Sequence, residues 1–180
     1  TGAFSSLIAN GYFEYSKNTD ERSGYVEGTN ASNPSLTING GNFSGGINTV
    51  KNDDGATLTI SGGVFTNTTQ ASVMNNNIAT ITGGFFESSK YAVINKHYSG
   101  ENNAGDLTVT GGEFSGAVAD IYAEKGDEVG GKITLSNANV TMWINEAKTE
   151  LEAKGSSTIE FVENSLIGSS TVADKATMIV

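Results

Sequence analysis

A chain of 180 residues is the size of one domain, but only 37% of it is hydrophobic while glycine occurs 23 times, so it can fill a narrow core and not a wide one. The net charge of −10, with nine lysines and Arg22 scattered along the chain, excludes a polyanion such as nucleic acid as partner, and the absence of cysteine excludes disulfides and thiolate metal sites. No apolar run approaches a membrane span, so no membrane insertion is expected, and the start at Thr1 without Met or a signal peptide is expected of a segment of something longer.

In chain order, Gly2-Ala3-Phe4 resembles the tail of a repeat whose body lies upstream, and an insertion bearing Tyr12, Tyr15 and Tyr25 follows it. Four strings then align on a double glycine: Leu36-Thr37-Ile38-Asn39-Gly40-Gly41-Asn42-Phe43, Leu58 to Phe65, Ala79 to Phe86, and Leu107 to Phe114. Their phenylalanines are spaced by 22, 21 and 28 residues. A degenerate fifth copy, Ile133 to Val140, has lost both glycines, and Thr158-Ile159-Glu160-Phe161 begins a sixth. This self-similarity divides the chain into residues 1–34 (the end of an earlier unit plus the insertion), 35–140 (the repeats) and 141–180 (degenerate final turns or a cap).

Within Leu58-Thr59-Ile60-Ser61 apolar and small polar residues alternate, which predicts a short strand with Leu58 and Ile60 inward and Thr59 and Ser61 outward. Gly62-Gly63 supplies backbone torsions closed to other residues and so a tight corner, after which Phe65 returns to the interior. An apolar stretch comes next (Val50, Val73-Met74, Val93-Ile94, Ile121-Tyr122), followed by Asn52, Asn75 and Asn95, with Ala123 breaking the series. Asparagine suits a second corner, and its amide can pair with the same amide one turn above. Strand, glycine corner, strand, Asn corner and return predict an all-β fold, a parallel β-helix of about five to six turns with a capping or irregular C-terminal segment. A β-sandwich of short strands is the alternative, and it does not explain residues recurring at fixed offsets.

The recurring Leu-Thr-Ile-x-Gly-Gly-x-Phe followed by an apolar pair and Asn resembles the right-handed parallel β-helix, pectin-lyase-like repeats of secreted or wall-attached proteins of Gram-positive, often gut-dwelling, bacteria. The opening Gly2 to Tyr12 is also similar to segments that follow such repeats, so the resemblance covers roughly residues 1–140. It implies an extracellular or cell-surface location and an adhesive or spacer role, with a glycan or a host or matrix protein as partner. The same fold carries polysaccharide lyases and hydrolases, which makes an enzyme fragment the rival reading.

Catalysis on that fold needs converging carboxylates, with calcium or a basic residue in the lyases. Asp53-Asp54 falls in a turn, Asp106 and Asp120 fall in different registers, and Asp127-Glu128 falls in a glycine-rich connection. Arg22, the only arginine, stands outside the repeats, and His97, the only histidine, falls beside Lys96 and Tyr98 in a long loop. The expectation is a non-enzymatic module without cofactor or metal, with Asp53 and Asp54 the one isolated calcium candidate. The binding candidates are the outward positions of the first strand: Thr37, Thr59 and Ser61, Thr80 and Thr82, Thr108 and Thr110, Thr134 and Ser136, joined by Asn39. Stacking would align them in two columns, a pattern that β-branched Thr favours on any exposed strand and that also resembles the ice-binding face of β-helical antifreeze proteins. Tyr91, Tyr98, Tyr122 and Trp143 are expected to pack in the core or a cap and not as sugar platforms. Asn30, Asn42, Asn67 and Asn139 match the glycosylation acceptor pattern.

Overall fold

A computed structural model describes residues 5–11, 34–53, 55–96, 105–124, 131–146, 148–168 and 170–180. After β1 (Ile8–Asn10), a first complete turn comprises β2 (Ser35–Ile38), β3 (Asn42–Ser44) and β4 (Asn48–Asn52). The second comprises β5 (Thr57–Ile60), β6 (Val64–Asn67) and β7 (Ala71–Asn75). The third holds β8 (Ile78–Ile81), β9 (Phe85–Ser88) and β10 (Tyr91–Lys96), and the fourth β11 (Asp106–Val109), β12 (Glu113–Gly116) and β13 (Ala119–Glu124). Each strand pairs in parallel with its equivalent in the next turn, giving sheets of eight, seven and four strands in a β-solenoid of about six turns. No helix among the described residues is long and apolar enough to cross a membrane.

The register is that of the repeat. Leu36, Leu58, Ala79, Leu107, Ile133 and Leu151 stack in one inward column of the seven-stranded sheet, beside Ile38, Ile60, Ile81, Val109, Leu135 and Ala153. Val50, Val73, Val93, Ile121 and Met142 face them from the eight-stranded sheet, and most of these side chains are fully buried. The third wall is a ladder of rings. Phe43, Phe65, Phe86 and Phe114 lie with centroids 5.0, 4.9 and 5.1 Å apart and planes within 14° of parallel. Such ring contacts add about 0.5–1.5 kcal/mol each to the area they bury.

The two glycines of each corner serve different ends. The second has φ of 111–116° at Gly41, Gly63, Gly84 and Gly112, a left-handed region that side chains avoid. The first has no such torsion, but a Cβ there would meet a carbonyl of the previous turn: Asn39 O at 2.8 Å from position 62, Ser61 O at 2.6 Å from 83, Thr82 O at 2.5 Å from 111. Positive φ therefore explains the second glycine of each pair, and close approach between turns explains the first at Gly62, Gly83 and Gly111, while a Cβ at Gly40 would meet nothing within 4 Å.

The opposite corner is an amide ladder. Asn10 Nδ2 donates to Asn52 Oδ1 at 2.8 Å, Asn52 Nδ2 to Asn75 Oδ1 at 2.9 Å, and Asn75 Nδ2 to Asn95 Oδ1 at 2.8 Å. Each Nδ2 also meets main-chain carbonyls of the segment beyond the corner, such as Thr57 O from Asn10 and Gly105 O from Asn95. Asn10 extends the predicted series by one turn, and Ala123, which carries no amide, ends it. The hydrogen-bonded amides let polar side chains occupy a buried site without a desolvation debt.

Residues 141–180, read from sequence as degenerate final turns or a cap, carry strands in register with the array. The four-stranded sheet stops at β12, where the Gly-Gly-x-Phe string is lost. Below it β14 (Lys132–Ser136) passes to β15 (Asn139–Ile144), β16 (Glu150–Lys154) to β17 (Thr158–Phe161), and β18 (Ser170–Val172) to β19 (Thr177–Ile179). Each passage turns on one left-handed residue: Asn137 (φ 55°), Gly155 (φ 60°) and Asp174 (φ 59°). These corners are tied together, since Gly155 N donates to Asp174 Oδ2 and Ser156 N to Asn137 Oδ1, each at 3.1 Å. The last turns thus use two sheets in place of three.

Two stability outcomes follow from this packing. Phe65→Ala removes a fully buried rung and should cost about 3–5 kcal/mol in chemical denaturation, a large part of the roughly 5–15 kcal/mol that holds a domain together. Gly83→Val should cost about 2 kcal/mol or more, because its Cβ meets backbone, whereas Thr59→Val on the outer face should stay within about 0.5 kcal/mol of the parent. Equal losses for the two valines would show that the approach of successive turns does not set the corner.

Candidate functional site

The predicted binding positions are brought together on the outer face of the seven-stranded sheet. Thr37 pairs with Thr59, Thr59 with Thr80, Thr80 with Thr108, and Thr108 with Thr134, five threonines on five successive rungs. The second column runs Asn39, Ser61, Thr82, Thr110 and Ser136, placed by main-chain bonds from Ser61 N to Ile38 O, Thr82 N to Ile60 O and Thr110 N to Ile81 O. Ser61 Oγ donates to Asn39 Oδ1 at 2.8 Å, so this column is partly bonded along its own length. With neighbouring rungs about 4.8 Å apart, the hydroxyls form a two-column lattice on a flat face.

The lattice has an end and a flank that repeat alignment did not bring out. Below Thr134 the first column passes to Glu152 and Thr171, and below Ser136 the second passes to Lys154. Glu152 and Lys154 form an ion pair at 2.9 Å, exposed enough to be worth about 0–1 kcal/mol. A third outward column at the strand starts reads Ser35, Thr57, Ile78, Asp106, Lys132 and Glu150. Lys132 stands between Asp106 and Glu150, so the two carboxylates sit two rungs apart with a cation interposed. A hollow of about 170 Å³ opens there, lined by Lys132, Glu150, Leu151, Glu152 and Thr171.

The other ionisable candidates are dispersed. Asp53 is buried, with Lys51 Nζ at 2.7 Å from its Oδ1 and Asn76 Nδ2 donating to the same atom at 3.0 Å, so its carboxylate is already neutralised by protein groups. Asp120 holds a corner: Oδ1 accepts from Gly116 N at 2.9 Å and Oδ2 from Thr141 N at 2.8 Å. Arg22, Asn30, Asp54, His97, Tyr98, Asp127 and Glu128 lie outside the described residues. Asn67, one of the acceptor-pattern asparagines, is buried, and its Oδ1 accepts from the main-chain N–H of Thr69 and Gln70.

The aromatics expected in the core or a cap form a stack on the outer face of the eight-stranded sheet. Tyr91 and Tyr122 have centroids 4.4 Å apart, and Tyr122 and Trp143 4.8 Å apart, over buried Met74 and Ile94. Tyr91 and Tyr122 are stacked and Trp143 is tilted by 33° against Tyr122, so the rings pack on one another along the solenoid as a satellite core and not as an open sugar platform. The packing is the core-type packing expected, on a second cluster outside the main core; at Tyr91 the outward facing follows from Ala92-Val93, two adjacent inward residues that shift the alternation of β10, whereas β15 around Trp143 alternates regularly. Burial pushes both phenols up, helped at Tyr91 by Tyr122 and by Glu124, and at Tyr122 by Glu124 against the lowering effect of the Asn145 amide, which donates to the phenol oxygen at 3.1 Å.

That raised phenol titration gives a pH dependence of definite sign. The unfolded chain releases these protons near the ordinary value of 10.0 while the folded chain still holds them. The contribution is intact below that pH and is lost as pH climbs through the folded value. Denaturant midpoints should fall between about pH 9 and about pH 11, and the fall should be smaller in Tyr91→Phe and Tyr122→Phe, which cannot ionise there. An unchanged fall in both variants would separate the alkaline transition from this stack.

No family model, curated protein or solved structure matches the chain.

Proposed function

We propose that this chain is a non-enzymatic module of a bacterial cell-surface or secreted protein, related to the pectin-lyase-like β-helices, that serves as an adhesin-like or spacer element binding a glycan or a host or matrix protein. The observation that carries the reading is the unbroken column of Thr37, Thr59, Thr80, Thr108 and Thr134 beside a second column of small polar residues. A long flat face of identical hydroxyls offers many weak contacts at one spacing, and multivalency then supplies affinity that no single contact has. The net charge of −10 favours neutral or cationic partners over sulfated or uronate-rich ones, with salt weakening the preference.

A glycan and matrix-protein array, run beside assays for reducing-sugar and unsaturated-uronate release, tests the reading. Binding without product release is the expected result. Release abolished by Glu150→Gln or Glu152→Gln would establish the rival enzyme reading at the charged end of the same face. The regularity of the threonine column also supports a second reading, ice binding. Thermal hysteresis that disappears in Thr59→Val and Thr80→Lys would favour it over adhesion, and its absence would remove it.

A further inference from the structure

The four-stranded sheet has an outer face of different character from the threonine lattice. Val64 pairs with Phe85 across one rung, and Thr66, Glu87 and Ser115 follow one another across three. Phe85 and Glu87 are two residues apart on one strand and therefore share this face at roughly 7 Å. Phe85 takes no part in the ladder of Phe43, Phe65, Phe86 and Phe114, and Val64 beside it is 38% exposed. A hollow of about 410 Å³ opens on the far side of Glu87, walled by Thr66, Glu87, Ser89, Ser115 and Ala117, with Val64 and Phe85 outside its lining. Its floor residues Asn67 and Ser88 are buried and already committed: Asn67 Oδ1 accepts two main-chain N–H groups, and Ser88 Oγ donates to Gln70 O at 3.0 Å. The Glu87 carboxylate, by contrast, has no ion pair or side-chain hydrogen bond among the described residues, and the Thr66 and Ser115 hydroxyls are equally uncommitted.

We propose that this hollow is a saccharide subsite that takes one pyranose unit of a neutral glycan. A carboxylate flanked by two hydroxyls matches vicinal hydroxyl groups, which donate to Glu87 in charge-assisted hydrogen bonds, and the apolar strip of Phe85 and Val64, next to Glu87 but outside the hollow, matches the C–H face of the adjoining sugar unit of the glycan. The volume falls within the roughly 300–1,000 Å³ of small-molecule sites. The free carboxylate disfavours uronates and sulfated sugars at this position. The inference rests on the glycan-binding reading above but puts a specific contact on a different sheet.

The test is calorimetric titration of the intact chain with chitotriose, cellotriose and mannotriose, and with trigalacturonate as the anionic comparison. At least one neutral trisaccharide should bind. Glu87→Gln and Phe85→Ala should each weaken it by about tenfold or more, the effect of one lost charge-assisted bond or stacking contact, while Glu160→Gln on the eight-stranded sheet leaves it unchanged. Both variants alter exposed or half-exposed side chains, and an unchanged melting temperature for Glu87→Gln keeps the result readable even where Phe85→Ala folds poorly. Saccharide binding kept in Glu87→Gln and lost in the double variant Thr59→Val/Thr80→Val would overturn the subsite and leave the glycan-binding reading standing. Binding of no saccharide, neutral or anionic, overturns the subsite, and joined with an array negative for matrix proteins it overturns the wider reading as well.

Discussion

Parallel pairing of each turn with the next, in register, sets the terms for everything else in this molecule. Each residue has its own counterpart from the neighbouring turns directly above and below at about 4.8 Å, so a side chain is tolerated in a column to the extent that it packs well against a like neighbour. Phenylalanine does so by stacking, asparagine by amide-to-amide bonding, leucine and isoleucine by plain burial, and threonine by its stiff branched shape. Charged residues do not, since like charges one rung apart repel. The columns bear this out: four rings, four amides and five threonines in succession, while the charged positions alternate in sign where they meet, as at Asp106, Lys132 and Glu150.

The corners obey the same constraint at the level of the backbone. Where three sheets surround the core, the Gly-Gly turn brings its first glycine, at Gly62, Gly83 and Gly111, so close to the carbonyl of the previous turn that no Cβ fits, and sends its second through positive φ. Where the glycines are lost, the ring-bearing strand is lost with them, and the chain crosses directly between two sheets through Asn137, Gly155 or Asp174. The phenylalanine ladder and the glycine pair are thus one device: the corner makes room for the ring, and the ring covers the corner, with the Phe65 ring 3.1 Å from where a Gly63 Cβ would sit.

Three outer faces with different chemistry follow from one interior. The seven-stranded sheet presents hydroxyl columns that give way to paired charges at one end. The eight-stranded sheet presents a tyrosine-tryptophan stack over Met74 and Ile94. The four-stranded sheet presents an apolar strip beside an uncommitted carboxylate. A solenoid keeps inward positions uniform because they must stack, and leaves outward positions free to diversify, so recognition is sought on the faces and not in the core.

The sequence by itself determined the turn length, the sites of the corners and the inward columns, because identical residues at identical offsets can satisfy their packing only against one another. Thr37, Thr59, Thr80, Thr108 and Thr134 were legible for the same reason, as were the Asn52, Asn75 and Asn95 ladder and its break at Ala123. Asn10 was not, since it precedes a long insertion that hides its register. The core-type packing of Tyr91, Tyr122 and Trp143 was legible, but not the separate cluster in which it occurs, since at Tyr91 the consecutive inward residues Ala92-Val93 reverse the alternation from which facing is read. The continuation of the array through residues 150–179 was legible in part, from the Thr158 to Phe161 string, and its two-sheet form was hidden because those turns keep the register without the Gly-Gly-x-Phe corner. Thr66, Glu87 and Ser115 each follow the Phe of a Gly-Gly-x-Phe string and so share a register that the repeat implies, but only the tertiary structure could open a hollow beside them, because its further walls at Thr68, Ser89 and Ala117 lie in the turns that lead out of the four-stranded sheet, where the repeated string no longer dictates the path of the chain.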